Sequence, residues 1–434
     1  MTRSLPHVRI CQDQRRLVVR ALLVVLVALG LGLLLLPPQF AQADEPKSPT
    51  GVIIPTTGER FSARLTQATS EGVLTFAEEK TTRTLPLAKL VRWGALVDSA
   101  PPANPTRGAQ VFLADGGRII ADRIRAAPGA ADKLLIESAL FEERKLPIER
   151  ISAILLQPPL DVQQRDRLAE KLLARAQRAD RLLLENGDEL NGSVVAFADA
   201  GVEFDSAGQK INVPWLRVTG VSFDPSLATP AKRGAARTLL GFADGSRLVV
   251  SRFTVVGGLV EATLGDGSVW QAPTDSLVCV QPLAGPAKYL SDQKAEGYRH
   301  LPFLSLAWPY KNDANVTGAQ LRAGGHPYAK GIGMHSAARL TYRLAPSDKS
   351  FEADLALDDQ VGGAGSAIFS VYVDDRLAFK SDVIRGGAAP TPVKVDTTGG
   401  KRLSLMVEFA DRGDEQDHAN WLDARLLEAG DASR

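Results

Sequence analysis

The sequence predicts an all-β protein in which four small β units are followed by two packed β-sheets. Four segments repeat one pattern: an apolar strand enters a polar turn with glycine, and a proline follows 27 to 31 residues later. In the last third of the chain, apolar and polar residues alternate along 351–357 and 367–373. Such period-two patterning is typical of sheets that bury one face against each other.

The repeat is defined by its turns and prolines. The turn glycines are Gly58, Gly116, Gly187 and Gly245, and the closing prolines are Pro86, Pro147, Pro214 and Pro273. Successive turn glycines lie 58, 71 and 58 residues apart. Asp-Gly and Asn-Gly supply the positive φ of tight hairpins, and proline belongs at a strand start or edge because it lacks a ladder donor. A unit of about 50 residues with four or five strands has the size of a small bent β-barrel.

In turn placement the units resemble Sm-like and other SH3-sized barrels. Four blades of a small propeller would also repeat four strands, and this alternative stays open. We favour barrel-like repeats in two pairs, because a helical insertion separates the second unit from the third. In that insertion Leu168, Leu172 and Ala176 share one face, which predicts a surface helix packed on a barrel pair. A partner-binding helix is the alternative.

The repeats offer little recognisable chemistry. Trp93, Trp215 and Trp270 lie near the ends of three units, where we expect them to plug the barrels, with sugar-stacking platforms as the alternative. No histidine lies between Asp44 and Arg299, which excludes a histidine-dependent triad or metal site wholly within the repeats. Neither dinucleotide-binding nor phosphate-loop glycine motifs are present.

Composition limits the partners. The 434 residues include 51 Lys+Arg and 50 Asp+Glu, for a net charge of +1, and this balance argues against a nucleic-acid partner. The hydrophobic fraction of 44% is ordinary for a globular protein. With Cys11 and Cys279 alone, a disulfide framework and a four-cysteine zinc site are excluded.

The first 43 residues have the pattern of a secretory signal peptide. An arginine-rich start precedes an apolar run over 21–36, and Ala41-Gln42-Ala43 gives a small-x-small cleavage site. We expect cleavage after Ala43 and export to the periplasm or beyond. The alternative is an uncleaved N-terminal anchor, and beyond such an anchor no contact with a membrane is expected. The predicted domains are a signal peptide (1–43), repeats one and two (44–158), the helical insertion (159–180), repeats three and four (181–283) and a β-sandwich (284–430).

Four motifs stand in order in the last third: YLSD at 289–292, YAKGIGMH at 328–335, FEADLALDD at 351–359 and DHANWLDA at 417–424. Together they resemble the NPCBM family of carbohydrate-binding modules over residues 287–429. The resemblance implies a jelly-roll β-sandwich that binds carbohydrate, usually galactose-type sugars, and that is often attached to glycoside hydrolases.

Sugars present C–H patches and hydroxyls, which flat aromatic faces and planar polar side chains recognise. The candidate carbohydrate-binding residues are Trp308, Tyr328, Lys330, His335, Asp358, Asp359, His418 and Trp421. For Trp421 and Tyr342 a place in the core is the alternative, and His335 could instead satisfy a buried carbonyl. The acids Asp411, Asp414 and Asp417 form a candidate structural calcium site, with a solvated loop as the alternative. No other cofactor is expected.

The sequence therefore favours an exported, non-catalytic glycan-binding protein that carries its module on a repeat platform. No catalytic residue is assigned. A glycoside hydrolase with a cleft between repeats and module is one alternative, and it would need two carboxylates about 5–9 Å apart in one pocket. A structural envelope protein that uses the module for protein contacts is another.

Export leads to a direct prediction. Because the leader combines a basic start, an apolar run and an Ala-x-Ala site, N-terminal sequencing of the exported protein should begin at Asp44. Recovery of the chain from the cytoplasm with Met1 intact would contradict it.

Overall fold

The computed structural model describes residues 47–98, 108–174, 178–198, 200–228, 237–303 and 305–428. The predicted signal peptide, 1–43, and Ala176 of the predicted helical face lie outside the described residues. Within these ranges the protein is all-β with one α-helix, which confirms the predicted class. No helix in the same ranges is long and apolar enough to span a bilayer.

Twenty-one strands form the four repeats. Unit 1 contains β1 Thr50–Pro55, β2 Phe61–Ala68, β3 Val73–Ala77, β4 Thr82–Pro86 and β5 Leu90–Gly94. Unit 2 contains β6 Ala109–Leu113, β7 Arg118–Ala121, β8 Arg123–Ala127, β9 Ala130–Ser138, β10 Glu142–Pro147 and β11 Ile151–Leu155. Unit 3 contains β12 Asp180–Leu184, β13 Glu189–Ala198, β14 Gly201–Ser206, β15 Gln209–Pro214 and β16 Val218–Ser222. Unit 4 contains β17 Thr238–Phe242, β18 Arg247–Val256, β19 Leu259–Leu264, β20 Val269–Pro273 and β21 Leu277–Pro282.

One pattern of strand pairing recurs in all four units. In unit 1 the strands pair antiparallel in sequence from β1 to β4, and β1 also pairs with the last strand, β5. Units 3 and 4 repeat this order. Unit 2 repeats it with its second strand divided into β7 and β8. The first strand of every unit therefore lies between its second and its last strand.

The turn glycines and the closing prolines occupy equivalent places in the units. Each turn glycine has a positive φ, between 87° and 96°, as a tight hairpin requires. Each proline is the last residue of its strand and begins a 3-10 turn, a feature that the sequence analysis missed. Proline suits this place because its φ is already near −60° and a first-turn N–H would lack a partner. The four turns are Leu87–Lys89, Ile148–Arg150, Trp215–Arg217 and Thr274–Ser276.

The units associate differently from the predicted pairs one–two and three–four. Strand β11 of unit 2 pairs with β16 of unit 3, and β5 of unit 1 pairs with β21 of unit 4. Glycines in the last strands permit this contact. A Cβ at Gly94 would collide with the Val278 carbonyl, and one at Gly220 would lie 2.9 Å from the Ile154 carbonyl oxygen.

Helix α1, Val162–Leu173, covers the joint between units 2 and 3. The Asp161 side chain caps it by accepting a hydrogen bond from the Gln164 N–H at 2.7 Å. Leu172 is buried in a cluster with residues of both units, which confirms the predicted packing face. Arg165, one heptad before Leu172 and on the same face, is buried as well, and so is its neighbour Asp166.

The remaining strands are β22 Ala287–Tyr289, β23 Gly297–His300, β24 Lys311–Asn312, β25 Arg322–Ala323, β26 His326–Pro327, β27 Gly331–His335, β28 Ala338–Arg343, β29 Asp348–Leu357, β30 Ser366–Val373, β31 Arg376–Lys380, β32 Ile384–Arg385, β33 Thr391–Asp396, β34 Arg402–Phe409 and β35 His418–Glu428.

These strands form a β-sandwich and a separate two-stranded hairpin, β25-β26. One sheet of the sandwich has the order β24-β27-β35-β29-β33 with β22 beside β35, and the other has the order β23-β28-β34-β30-β31 with β32 beside β30. The alternating residues Phe351, Leu355, Phe369 and Val371 are fully buried between the sheets, which confirms the period-two patterning.

A buried arginine joins the sandwich to the repeats. The Arg322 guanidinium donates to the Asp166 carboxylate of α1 at 2.6 and 3.0 Å and to Asp98, which follows unit 1, at 2.5 and 3.0 Å. Burial alone would lower the pKa of Arg322, but the hydrogen bonds to Asp166 and Asp98 raise it above its ordinary value. We call Arg322, Asp98 and Asp166 the arginine clamp.

A second polar contact lies at the same boundary. Asp423 of β35 pairs with Arg92 of unit 1 at 3.1 Å and accepts a hydrogen bond from Gln281 of unit 4 at 2.9 Å. Ile54 and Val91 of unit 1 also pack on Leu427 of the sandwich. The described residues, from 47 to 428, accordingly belong to one compact unit.

The clamp predicts a large cost for Arg322→Met. Removing the cation leaves the buried Asp166 carboxylate without its guanidinium partner and leaves Asp98 with the more distant Arg165 at 3.7 Å, so the free energy of unfolding should fall by about 3–5 kcal/mol. The matched control is Arg343→Met, whose side chain is 82% exposed and pairs with Glu296; it should change stability by less than about 1 kcal/mol. Urea denaturation measures both variants. Equal stability of the two would contradict the role of the clamp.

Candidate functional site

A groove of about 300 Å³ lies where β27 ends and β35 begins. His335, the last residue of β27, stands opposite His418, the first residue of β35, in the antiparallel register. The groove is lined by Leu306, Trp308, His335, Asp414, Gln416 and His418. Two strand ends and two loops thus bring together three flat side chains, a carboxylate and an amide.

The Trp308 indole stacks on the His335 imidazole. The ring centroids are 4.9 Å apart and the planes differ by 3°. The loop that carries Trp308 is fixed through its backbone: the Trp308 N–H donates to His300 Nδ1 at 3.3 Å, and the Trp308 carbonyl accepts from the Tyr298 hydroxyl at 2.5 Å. The His418 ring lies beside both, with its centroid 5.7 Å from that of Trp308 and 5.9 Å from that of His335.

The imidazoles of this cluster favour the neutral form. Burial, and then the neighbouring His418, lowers the pKa of His335 to about 4. Burial also lowers the pKa of His418 and of His300. A neutral imidazole offers one donor and one acceptor nitrogen. Burial raises the pKa of Asp417 to about 6, although its carboxylate accepts a hydrogen bond from the Ser366 N–H at 2.8 Å.

Trp421 does not reach the groove, which corrects its place among the candidate binding residues. Its side chain is fully buried in the middle of β35 and packs on the rings of Phe351 and Phe369 at 6.1 and 5.1 Å. Alternation along β35 points this ring between the sheets. Tyr342 is likewise buried in the core.

Tyr328 and Lys330 also lie away from the groove, although they share a motif with His335. Tyr328 is buried beside unit 1, with the Arg92 guanidinium 5.1 Å from the centre of its ring. The Lys330 ammonium pairs with Asp292 at 2.6 Å and Asp313 at 2.9 Å. These contacts hold both residues at the opposite end of β27, so the structure does not bring them to the groove with His335, and sugar binding by them stays a prediction.

Asp358 and Asp359 support the clamp rather than the groove. The buried Asp358 carboxylate accepts from Asn420 Nδ2 at 2.7 Å and from the Arg322 N–H at 3.1 Å. Asp359 accepts from the N–H groups of Gly324 and Gly325 at 3.0 and 2.9 Å. Both carboxylates therefore hold the short hairpin that carries Arg322.

The three acids of the predicted calcium site point to different partners. Asp411 pairs with Arg385, Asp414 lines the groove, and Asp417 accepts from Ser366. Among the described residues no group of three or more His, Cys, Asp or Glu side chains could hold a metal ion. The described part of the chain thus does not assemble the calcium site.

A second cavity, of about 230 Å³, lies between α1 and the sandwich, where the hydrolase alternative would place a cleft. Four aspartates line it, and each is engaged by donors: Asp98 and Asp166 by Arg322, Asp358 by Asn420, and Asp359 by backbone N–H groups. Arg322 and these amides hold the carboxylates in fixed roles as acceptors.

The sequence analysis missed several residues of the groove. Gln416 and Leu306 line it, and His300 and Tyr298 hold Trp308 in place. Gln416 could have been found from its position two residues before His418. The role of His300 depends on the register between β23 and β28, which no local pattern reveals.

A two-sheet module with an aromatic groove at a strand end is the class that this geometry defines. Residues 287–427 match the model of the NPCBM/NEW2 domain family.

Comparisons with known proteins give partial matches. A protein of Renibacterium salmoninarum described as "Putative endo-alpha-N-acetylgalactosaminidase" is 32% identical over 114 residues, 26% of this chain and 8% of that protein. A CBM51 module of a Clostridium perfringens GH95 protein, solved with methyl-galactose, is 26% identical over 32% of this chain and 99% of the module, with a TM-score of 0.30. A structure of CBM51-2 and INT domains of C. perfringens ZmpB with GlcNAc is 26% identical over 40% of this chain and 38% of that one, with a TM-score of 0.30. The chain thus spans a small part of the curated relative.

The histidine cluster predicts an acid-shifted titration. In the folded protein the His335 ring should titrate near pH 4, against 6.5 in the urea-unfolded chain. Because the unfolded state binds this proton first, His335 lowers stability as pH falls from 6.5 to 4. The effect of Asp417 on stability has the opposite dependence on pH. Because its pKa is raised from 3.8 in the unfolded chain to about 6 in the folded protein, its contribution to stability is lost as pH rises from 3.8 to about 6.

Site-resolved NMR titration of the His335 ring and of the Asp417 carboxyl carbon separates the two groups, which a melting curve would not. A folded-state midpoint for His335 near 6.5 would contradict the buried, stacked geometry.

Proposed function

We propose that the groove binds a carbohydrate and that the protein is a non-catalytic glycan-binding protein. The observation that carries the proposal is the parallel stack of Trp308 on His335 beside Asp414, Gln416 and His418. The NPCBM/NEW2 match over 287–427 supports it.

The chemistry of the lining matches that of a pyranose. Trp308 is half-buried, so part of its ring is open to solvent and offers an apolar face for the C–H side of a sugar. The neutral His335 and His418 rings offer donors and acceptors without the desolvation cost of a charge. Asp414 adds a carboxylate acceptor and Gln416 both a donor and an acceptor for hydroxyls.

One small groove buries little area. We therefore expect weak affinity, with Kd from about micromolar to millimolar, or about −8 to −4 kcal/mol. Galactose-type sugars are the proposed ligand class, which the family resemblance implies. N-acetylhexosamines belong in the same test panel, because the curated relative is described as acting on α-linked N-acetylgalactosamine.

The repeats are proposed to be four SH3-sized barrels that act as a platform. The pairing of each first strand with its last strand supports barrels, because the strands of a propeller blade pair only in sequence. Trp93 and Trp270 are buried, as barrel plugs would be, and Trp215 stacks on Phe197. A jelly-roll order for the sandwich belongs to the same proposal.

The protein is proposed to act outside the cytoplasm. The signal-peptide pattern of residues 1–43 supports export, and extracellular glycans are present there.

Binding is tested with the full chain by calorimetric titration against galactosides and N-acetylhexosamines. Trp308→Ala removes the stacking face and should weaken binding at least tenfold, about 1.4 kcal/mol. His335→Ala removes the ring that supports Trp308 and should weaken binding in the same direction.

His326→Ala is the matched control, because His326 is exposed on β26, outside the groove. It should bind as the wild type does. The Trp308 and His326 variants should keep nearly wild-type melting temperatures, and His335→Ala should melt lower because the His335 ring is buried. If the folded wild type binds no glycan at millimolar concentration, the carbohydrate proposal is wrong and the result favours a structural protein whose module makes protein contacts. Wild-type affinity in both Trp308→Ala and His335→Ala would place the sugar outside the groove.

A further inference from the structure

An exposed apolar patch lies beside the groove. Leu301, Phe303 and Leu306 precede Trp308 on one segment and are 56%, 61% and 62% exposed, and Phe409 at the end of β34 is 46% exposed. Single exposed apolar residues are common and need no explanation. Four large ones beside one groove form a surface that water solvates poorly and that a ligand would cover.

Contacts fix this patch to the frame of the groove. The Phe303 ring lies edge-on to Phe409, 6.3 Å between centroids, and packs over Gly413, the residue before Asp414. The Leu301 N–H donates to the Ala337 carbonyl at 2.9 Å, two residues beyond His335. The patch is therefore continuous with the loops and strand ends that line the groove.

Leu306 belongs to both surfaces, because it lines the groove together with Trp308. Phe303 and Leu301 precede Leu306 on the same segment, so Leu306 links the groove to the patch. A sugar alone presents C–H groups but no extended apolar surface, so it would leave the patch open to water. An apolar group attached to the sugar would cover it.

We propose that the natural ligand is a glycoside with an apolar aglycone, such as the alkyl chain of a glycolipid, whose sugar occupies the groove and whose chain lies on Leu301, Phe303 and Phe409. The inference rests on the proposed carbohydrate function. It names the class of glycan that the groove selects.

The test compares methyl β-galactoside with octyl β-galactoside on the full chain by calorimetry, below the micelle-forming concentration. Burial of the chain on the patch should make the octyl compound bind at least about tenfold more tightly. Phe303→Ser and Leu301→Ser should reduce this advantage to less than about threefold while leaving methyl galactoside affinity unchanged. The matched control is Leu377→Ser, an equally apolar, 49% exposed residue on β31, which should keep the full advantage.

The outcomes separate the two proposals. Equal binding of the methyl and octyl compounds by wild type would overturn the aglycone proposal and leave the carbohydrate function standing. Binding of neither compound, nor of any other glycan in the panel, would overturn both. If 1-octanol binds as tightly as octyl galactoside, the patch binds apolar molecules nonspecifically and the aglycone proposal is overturned. If the wild type is a dimer that Phe303→Ser converts to a monomer, the patch is covered by a second copy of the chain, and the aglycone proposal is likewise overturned.

Discussion

The structure depends on one buried arginine that draws three parts of the chain together. Arg322 of the C-terminal module forms ion pairs with two carboxylates, those of Asp166 in the helix and of Asp98 at the end of unit 1. Taking these charges out of water costs several kcal/mol per ion, and good geometry must offset that cost. Here both edges of the guanidinium are used, which is the arrangement in which arginine binds carboxylates most strongly. The module is thereby held against the platform by directional bonds as well as by apolar packing.

Strand β27 connects this joint to the groove. Tyr328, just before the strand, contacts unit 1, and His335 at the far end lines the groove. Gly333 between them lies against the backbone of Ala314 and Asn315, so that a Cβ there would collide with the loop leading to the clamp. The motif that suggested one binding site therefore divides into an anchoring end and a ligand-facing end. Strand β35 makes a second connection, from His418 in the groove to Asp423 at the boundary with the repeats.

Local chemistry made much of the fold predictable. Turn glycines with positive φ, prolines at strand ends and alternating residues such as Phe351 and Leu355 act through nearest neighbours, so the sequence reveals them. The pairing of unit 1 with unit 4 was not predictable, because it depends on Gly94 meeting a strand nearly 200 residues away. The same division between local features and long-range pairing explains why the site was only partly predictable. Trp308 and His418 were found by residue type, whereas the burial of Trp421 and Lys330 follows from long-range pairing.

A crystal structure of the full chain with methyl β-galactoside tests the central claim most directly. The account predicts a pyranose in the groove, with its C–H face on Trp308 and its hydroxyls within hydrogen-bond distance of His418, Asp414 or Gln416. The clamp should be unchanged, because the residues that line the groove do not include Arg322, Asp98 or Asp166. A sugar bound elsewhere, on Trp215 of the repeats or in the cavity beside Asp166, with the groove empty, would contradict the account.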